Sequence, residues 1–339
     1  AHLVWITGWT DDLSGARLTA ALDRARTRSL VRLTTPPPGA RPPQVLDNPA
    51  WVRPFEPFVR AFGVPGMDEA DPTPVLAVVV PLLFGYMFGD VGQGLVLFAL
   101  GWHLRGRYPE AGILLPAGVS AMVFGLLFGS VFAREDLIPA LWVHPLLHPL
   151  PVLVVPLIFA VGLLSLGQLL SGLGALWRGE LTRWLLVDLG FLVLYLGVIA
   201  RVTLGADWTW LPLLGAGWYL IGSFLVHHRL LGAVAALGHL LEGGMQILVN
   251  TLSFARVGAF ALAHASLSAA VVTMADAAPL WAGLLIMVLG NLLIIALEGL
   301  VVSIQATRLV LFEFFNRFLR GSGRVFRPLP APPELEAVS

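Results

Sequence analysis

The stretch NTLSFARVGAFALAHASLS, residues 250–268, places an arginine and a histidine well inside a long apolar run. Arginine has no route to neutrality, because its pKa lies above about 12. Putting it at the centre of a bilayer costs about 2.5–3.5 kcal/mol on insertion scales. A contact between two helices could be made more cheaply with serine or asparagine. Arg256 therefore points to an ion path, where intramembrane charges concentrate. The plain alternative is a packing role, with Arg256 paired to Glu298 or Glu242.

The rest of the chain supports a membrane setting. Of 339 residues, 57% are hydrophobic and 12% charged, and the mean hydropathy is +0.81. A soluble domain of this size carries far more charge, so lipid is the expected solvent for most of the chain. The 21 basic residues are all arginine and are balanced by 21 acidic ones, so no nucleic-acid partner is expected. With no cysteine, disulfides and thiolate metal sites are excluded. No HExxH, Walker loop or Gly-x-Ser-x-Gly elbow is present. Neither a catalytic site of its own nor a cofactor is expected.

A membrane helix needs about 20 apolar residues. The candidate blocks are 74–104, 111–133, 151–177, 184–203, 209–226, 232–275 and 281–312. Arg105 with Arg107, Arg178 with Arg183, Arg229, and Arg317, Arg320, Arg324 and Arg327 mark cytoplasmic flanks. An arginine-rich amino-terminal arm belongs on the same side. The blocks after Arg107 then alternate correctly, and the first does not unless it enters and leaves on one side. Pro81, Gly85, Gly89, Asp90, Gly92 and Gly94 supply turn chemistry for that. The block 74–104 reads as a hairpin of two short or re-entrant helices, giving eight passes; one long tilted helix is the alternative. Asp90 reads as a turn or cap residue. His103, His144, His148, His227 and His228 fall at block ends and read as interfacial.

Three units follow. Residues 1–70 comprise a small α/β piece, with a strand in HLVWITGW and a helix in 11–28, then an irregular proline-rich linker and an interfacial segment. Residues 71–316 form an all-α polytopic membrane domain, and 317–339 a cytosolic tail.

Two helices carry the polar groups. At about 100° per residue, His239, Glu242, Gln246, Asn250, Ser253, Arg256 and His264 share an arc of about 120°. Asn291, Glu298 and Gln305 recur every seven residues and stay within about 40°. Arg308 follows one turn later, and Glu313 and Asn316 continue the edge.

At this point the residues carry a resemblance. NTLSFARVGAFALAHASLS resembles the arginine-bearing helix of the membrane subunit of V-type and A-type rotary ATPases, subunit a or subunit I. LEGLVVSIQATRLVLFEFFNRFLRGSGRVFRP (297–328) is similar to that family's final helix and tail, and DPTPVLAVVVPLLFGYMFGDVGQG to its first membrane segment. VWITGWTDDLSGARLTAALDRA resembles the end of its cytosolic half; the longer arm that normally precedes it is not in this sequence. The resemblance implies two long tilted helices facing a rotating proteolipid ring, with offset half-channels leading protons to a ring carboxylate. It implies that Arg256 meets that carboxylate and blocks leakage, that Arg308 is a second arginine nearby, and that Glu298 and His264 line an aqueous path. Glu242, Gln246, Asn250, Ser253 and Gln305 join them by helical geometry. The implied partners are the ring, central-stalk and peripheral-stalk subunits and lipid. The implied location is a prokaryotic plasma membrane with both termini cytoplasmic.

Two other classes compete. A secondary transporter or channel would show inverted repeats with paired broken helices, and SFARVGAF has no second copy. An intramembrane enzyme would need a nucleophile dyad, and Ser253 and His264 lie about 16 Å apart along one helix.

Overall fold

The computed structural model of the chain describes residues 5–10, 12, 14–35, 40, 42–66, 69–227, 230–319, 321 and 323–326. The expected flanks Arg229, Arg320 and Arg327 lie outside these, as do His228 and residues 327–339 of the tail. Among the described residues, six helical stretches are long and apolar enough to cross a membrane: Pro109–Phe128, Pro149–Trp177, Leu181–Leu204, Ala206–Val226, Ala236–Asp276 and Leu280–Arg317. Two shorter apolar helices precede them, α3 (Thr73–Met87) and α4 (Val91–Leu104).

The amino-terminal piece departs from expectation. No strand forms at residues 5–10, and Trp5 and Ile6 are exposed. A strand is stable only beside another, and no described segment offers it an edge. Helix α1 (Ala16–Arg24) does form. Its first turn is held by the Asp12 carboxylate, which accepts from the backbone N–H of Arg17 at 2.7 Å and of Leu18 at 3.3 Å. The proline-rich linker is not wholly irregular: β1 (Pro43–Gln44) pairs in parallel with β2 (Arg324–Val325). Pro43 is tolerated because a two-stranded ribbon leaves its missing donor on an open edge. Helix α2 (Glu56–Phe62) follows, and Val52, Phe55 and Val59 are fully buried.

The block 74–104 divides at Phe88–Asp90. Helix α3 runs parallel to α5 (Leu114–Phe128), with Gly85 against Ser120 and Gly89 against Phe124 and Phe128. Helix α4 runs the other way along α5, with Gly94 against Met122 and Gly101 against Leu114. The chain therefore reverses, but its two limbs pack on α5 rather than on each other. Glycine is required at these points because the backbones nearly touch; a Cβ on Gly94 would lie 2.8 Å from the Met122 nitrogen.

Asp90 makes the reversal. It is fully buried, and its side chain caps α4 by accepting from the Gln93 N–H at 2.9 Å. It also accepts from Ser130 Oγ at 2.7 Å and from the N–H groups of Phe132 (2.9 Å) and Ala133 (2.8 Å). The turn-or-cap reading of Asp90 matches this geometry.

Helices α6 (Pro149–Trp177), α7 (Leu181–Leu186), α8 (Asp188–Leu204) and α9 (Trp210–His227) lead to α10 (Leu230–Ser253) and α11 (Ala255–Asp276). The last two form a near-continuous rod broken at Phe254. There the bonding tightens to i→i+3, with Phe254 N–H on Thr251 O and Val257 N–H on Phe254 O. Just before this point the Thr251 and Ser253 hydroxyls bond back to the Ile247 and Val249 carbonyls, which weakens a helix locally. The final rod comprises α12 (Leu280–Leu293), a π-turn Ile294–Glu298, α13 (Gly299–Leu309) and a second π-turn Val310–Phe314. The 41-residue and 38-residue apolar stretches reach about 55–60 Å at 1.5 Å per residue, twice the hydrocarbon core, so they must tilt or protrude. The core sits where α3, α11 and α13 meet, around Leu76, Met87, Phe254, Val302 and Phe314.

Candidate functional site

Helix α11 and the final rod pack antiparallel. Ala275 meets Gly283, Val271 meets Gly290, His264 meets Glu298 and Arg256 meets Gln305. Arg256 and His264 of one polar stripe thus meet Gln305 and Glu298 of the other across this seam.

Arg256 donates from Nη1 to Gln305 Oε1 at 3.1 Å. Glu298 is engaged elsewhere: its Oε2 lies 2.8 Å from His264 Nδ1, and both side chains are nearly buried. Glu242 lies beside His239 at 3.9 Å, both well exposed. Neither ion pair of the packing alternative is formed. Among the described residues Arg256 is matched by a neutral amide, so its charge is not cancelled within bonding distance.

The π-turns set which residues face the seam. Glu298 ends the first, and Glu313 lies in the second. A π-turn inserts one residue into a helical repeat, so residues on either side of it no longer share a seven-residue face. Asn291 accordingly leaves the line of Glu298 and Gln305. It is bonded to Gln93 of α4, whose Nε2 donates to Asn291 Oδ1 at 2.9 Å. Glu298 and Gln305 have no π-turn between them and stay together.

The remaining candidates are not gathered at the seam. Glu242 and Gln246 on α10 are exposed rather than turned inward, because α10 is covered by few neighbours. Asn250 and Ser253 are half-buried, and Ser253 spends its hydroxyl on Val249 O at 3.0 Å. Arg308 is exposed, one turn beyond Gln305. Glu313, noted in the sequence only as an edge residue, is buried. Gln93 was not singled out either, although the GDVGQG turn contained it.

The His264–Glu298 contact carries a stability prediction. His264 Nε2 is already buried without a hydrogen-bond partner among the described residues. Glu298→Ala removes the partner of Nδ1 as well, and an unpaired buried polar group costs about 1–3 kcal/mol. Thermal unfolding in detergent should fall accordingly, and His264→Ala added to it should cost little more, since coupled residues are non-additive.

Residues 2–110 match the V-type ATPase 116kDa subunit family. The chain is 30% identical over 328 residues to the A-type ATP synthase subunit I of Thermococcus kodakarensis, covering 86% of this chain and 48% of that protein. It is 29% identical over 394 residues to the A-type ATP synthase subunit I of Aeropyrum pernix, covering 96% and 57% respectively. A V-type ATP synthase subunit I 2 of Treponema pallidum is 36% identical over 156 residues, 41% of this chain and 34% of that protein. The chain spans about half the length of the first two relatives.

Proposed function

Because this chain belongs to the V-type ATPase 116kDa subunit family, we propose that it is the membrane stator subunit of a rotary ATPase, guiding protons past a proteolipid ring. The observation that carries this reading is the partner choice at the seam. Arg256 bonds to neutral Gln305, while the carboxylate that could have neutralised it, Glu298, is held by His264. Among the described residues no carboxylate lies within ion-pair distance of Arg256, which leaves its charge available to an anion from outside the chain. In this reading that anion is the ring carboxylate, which Arg256 keeps ionised while barring direct passage between two half-channels.

The buried Glu298–His264 pair would line the approach from the end of the bundle where α11 meets α12. Exposed Glu242 and Gln246, with Asn250 and Ser253, would line the approach from the opposite end. Arg308 would stand beside Arg256 at the ring face. The chain moves protons and performs no chemistry on ATP, which belongs to other subunits of the complex. The tail and the amino-terminal linker meet at one end of the bundle, where Phe326 N–H bonds to Gln44 O at 3.1 Å. This supports a common cytoplasmic side for both termini, in a prokaryotic plasma membrane. Central- and peripheral-stalk subunits complete the partners.

The natural chain contains no cysteine, so single introduced thiols report contacts without background. Ala263→Cys and Leu300→Cys lie on exposed positions of α11 and α13. In the assembled complex both should cross-link to ring subunits carrying a facing thiol, whereas Leu213→Cys on exposed α9 should not. Cross-linking through Leu213 alone would place the ring elsewhere and defeat the reading.

A further inference from the structure

A polar cavity that shares no residue with the seam lies at the end of the bundle where the tail meets the amino-terminal linker. It is partly enclosed, measures about 170 Å³, and sits between the end of α6, the foot of the final rod and the segment before α3. Ser171 and Arg178 line it from α6, Asn316 and Arg317 from the rod, and Glu69 from the linker side. The Arg317 Nε is buried without a hydrogen-bond partner, and no carboxylate lies within ion-pair distance of this guanidinium among the described residues. Burying a charged donor without an acceptor is costly. Arg178 gives its Nε to the half-exposed Glu180 at 3.3 Å, which leaves its two terminal nitrogens unbonded among the described residues. Glu69 is turned towards its own segment, its Oε2 accepting from the Gly66 N–H at 2.9 Å. Two guanidinium groups that cannot lose their charge therefore outnumber one carboxylate. Such a lining repels a proton and draws an anion, which separates this cavity from the ion path.

We propose that this cavity is a binding site for a phosphate group, supplied by an anionic phospholipid at the membrane boundary and held between Arg317 of the rod and Arg178 of α6. The guanidinium fork matches phosphate oxygens two at a time. Basic pockets between membrane helices hold phospholipid head groups for this reason. The volume lies below the ~300–1,000 Å³ of pockets that enclose drug-sized ligands, so it admits a phosphate group and not a nucleotide. The surroundings favour a lipid over a free ion. Trp177, beside Arg178, is exposed as interfacial tryptophans are. Leu173 and Leu176 on α6 and Phe312, one turn before Asn316, are also exposed and offer apolar surface for an acyl chain next to the cavity. A bound head group would tie the end of α6 to the foot of the rod.

The test uses the intact complex and a thiol placed in the cavity by Ser171→Cys, in a chain that has no cysteine of its own. The labelling rate of that thiol by a small maleimide is read in phosphatidylcholine vesicles, in the same vesicles with phosphatidylglycerol, and in phosphatidylcholine with added inorganic phosphate. Phosphatidylglycerol should slow labelling in a saturable way, and the other two should not. Adding Arg317→Gln should raise the phosphatidylglycerol fraction needed for half-protection about tenfold, the loss of one charge-assisted contact. Where Arg317→Gln does not assemble, Arg178→Gln at the rim is read in its place. A thiol at Gly106, exposed beside another arginine flank, should label at one rate in all three conditions. Labelling of Ser171→Cys that ignores phosphatidylglycerol, or protection that survives in both arginine variants, would overturn the site. Equal protection by phosphatidylcholine alone would also overturn it, since any lipid would then suffice. Protection by inorganic phosphate that is lost in Arg317→Gln would uphold the phosphate site and overturn the lipid as its source.

Discussion

Arg256→Ala is expected to abolish ATP-driven proton transport in the assembled complex while leaving assembly intact. Among the described residues Arg256 makes one hydrogen bond, to Gln305, so its removal leaves a single neutral hydrogen-bond acceptor unmatched. That is a small structural loss. The functional loss should be large, because the arginine is assigned the charge that stabilises an ionised carboxylate in a water-poor seam. Removing one preorganised electrostatic group from such a site lowers rates by about 10²–10³. Arg256→Lys should not restore transport. A lysine can release its proton when buried and offers a point charge in place of the planar fork. Dye-quench measurements on vesicles, with complex content checked by gel, decide the matter. Normal pumping in assembled Arg256→Ala would remove the central role given to this residue.

The second large effect is structural. Asp90→Ala should cost at least about 3 kcal/mol of folding stability, because four donors that converge on one carboxylate lose their acceptor at once. The donors are the Gln93, Phe132 and Ala133 N–H groups and the Ser130 hydroxyl. Phe132 and Ala133 hold positive φ angles of 50° and 70°, a conformation that costs about 1–3 kcal/mol per non-glycine residue. The carboxylate is what holds them there. Asp90→Asn should fall between, since its amide keeps the shape but turns a donor toward other donors. Folded yield and unfolding temperature in detergent are the readouts. An unchanged unfolding temperature in Asp90→Ala would mean that another group supports the loop.

Much of the seam was legible in the sequence. The wheel placed Arg256 and His264 on one stripe and Glu298 and Gln305 on another, and these four side chains meet pairwise across the seam. It also grouped Asn291 with Glu298, and there it failed. A π-turn has no residue-type signature, and its extra residue is accommodated by packing, so a regular 100° step cannot see the rotation between them. The same blindness hid the inward position of Glu313. Glu242 and Gln246 were legible as polar but not in direction, because a wheel ranks faces without knowing what covers them. The hairpin was visible because reversal needs glycine and a cap, and both are written into GYMFGD at Gly85–Asp90. That α5 would lie against both limbs was not, since close backbone approach depends on where a third helix lands. The strand pair β1–β2 joins residues 281 positions apart, a separation over which local pattern carries no information.

That strand pair, with Gly63 set against Gly321 and the Phe62 ring 5.7 Å from that of Phe315, ties the start of the helical unit to its end. Mechanically, the unit is a closed loop. A push or twist on the segment before α3 arrives at the foot of the last rod directly, through a short lateral clasp, instead of travelling up and down every intervening helix. The rod that carries Gln305 and Glu313 is therefore braced at its base by the segment before α3.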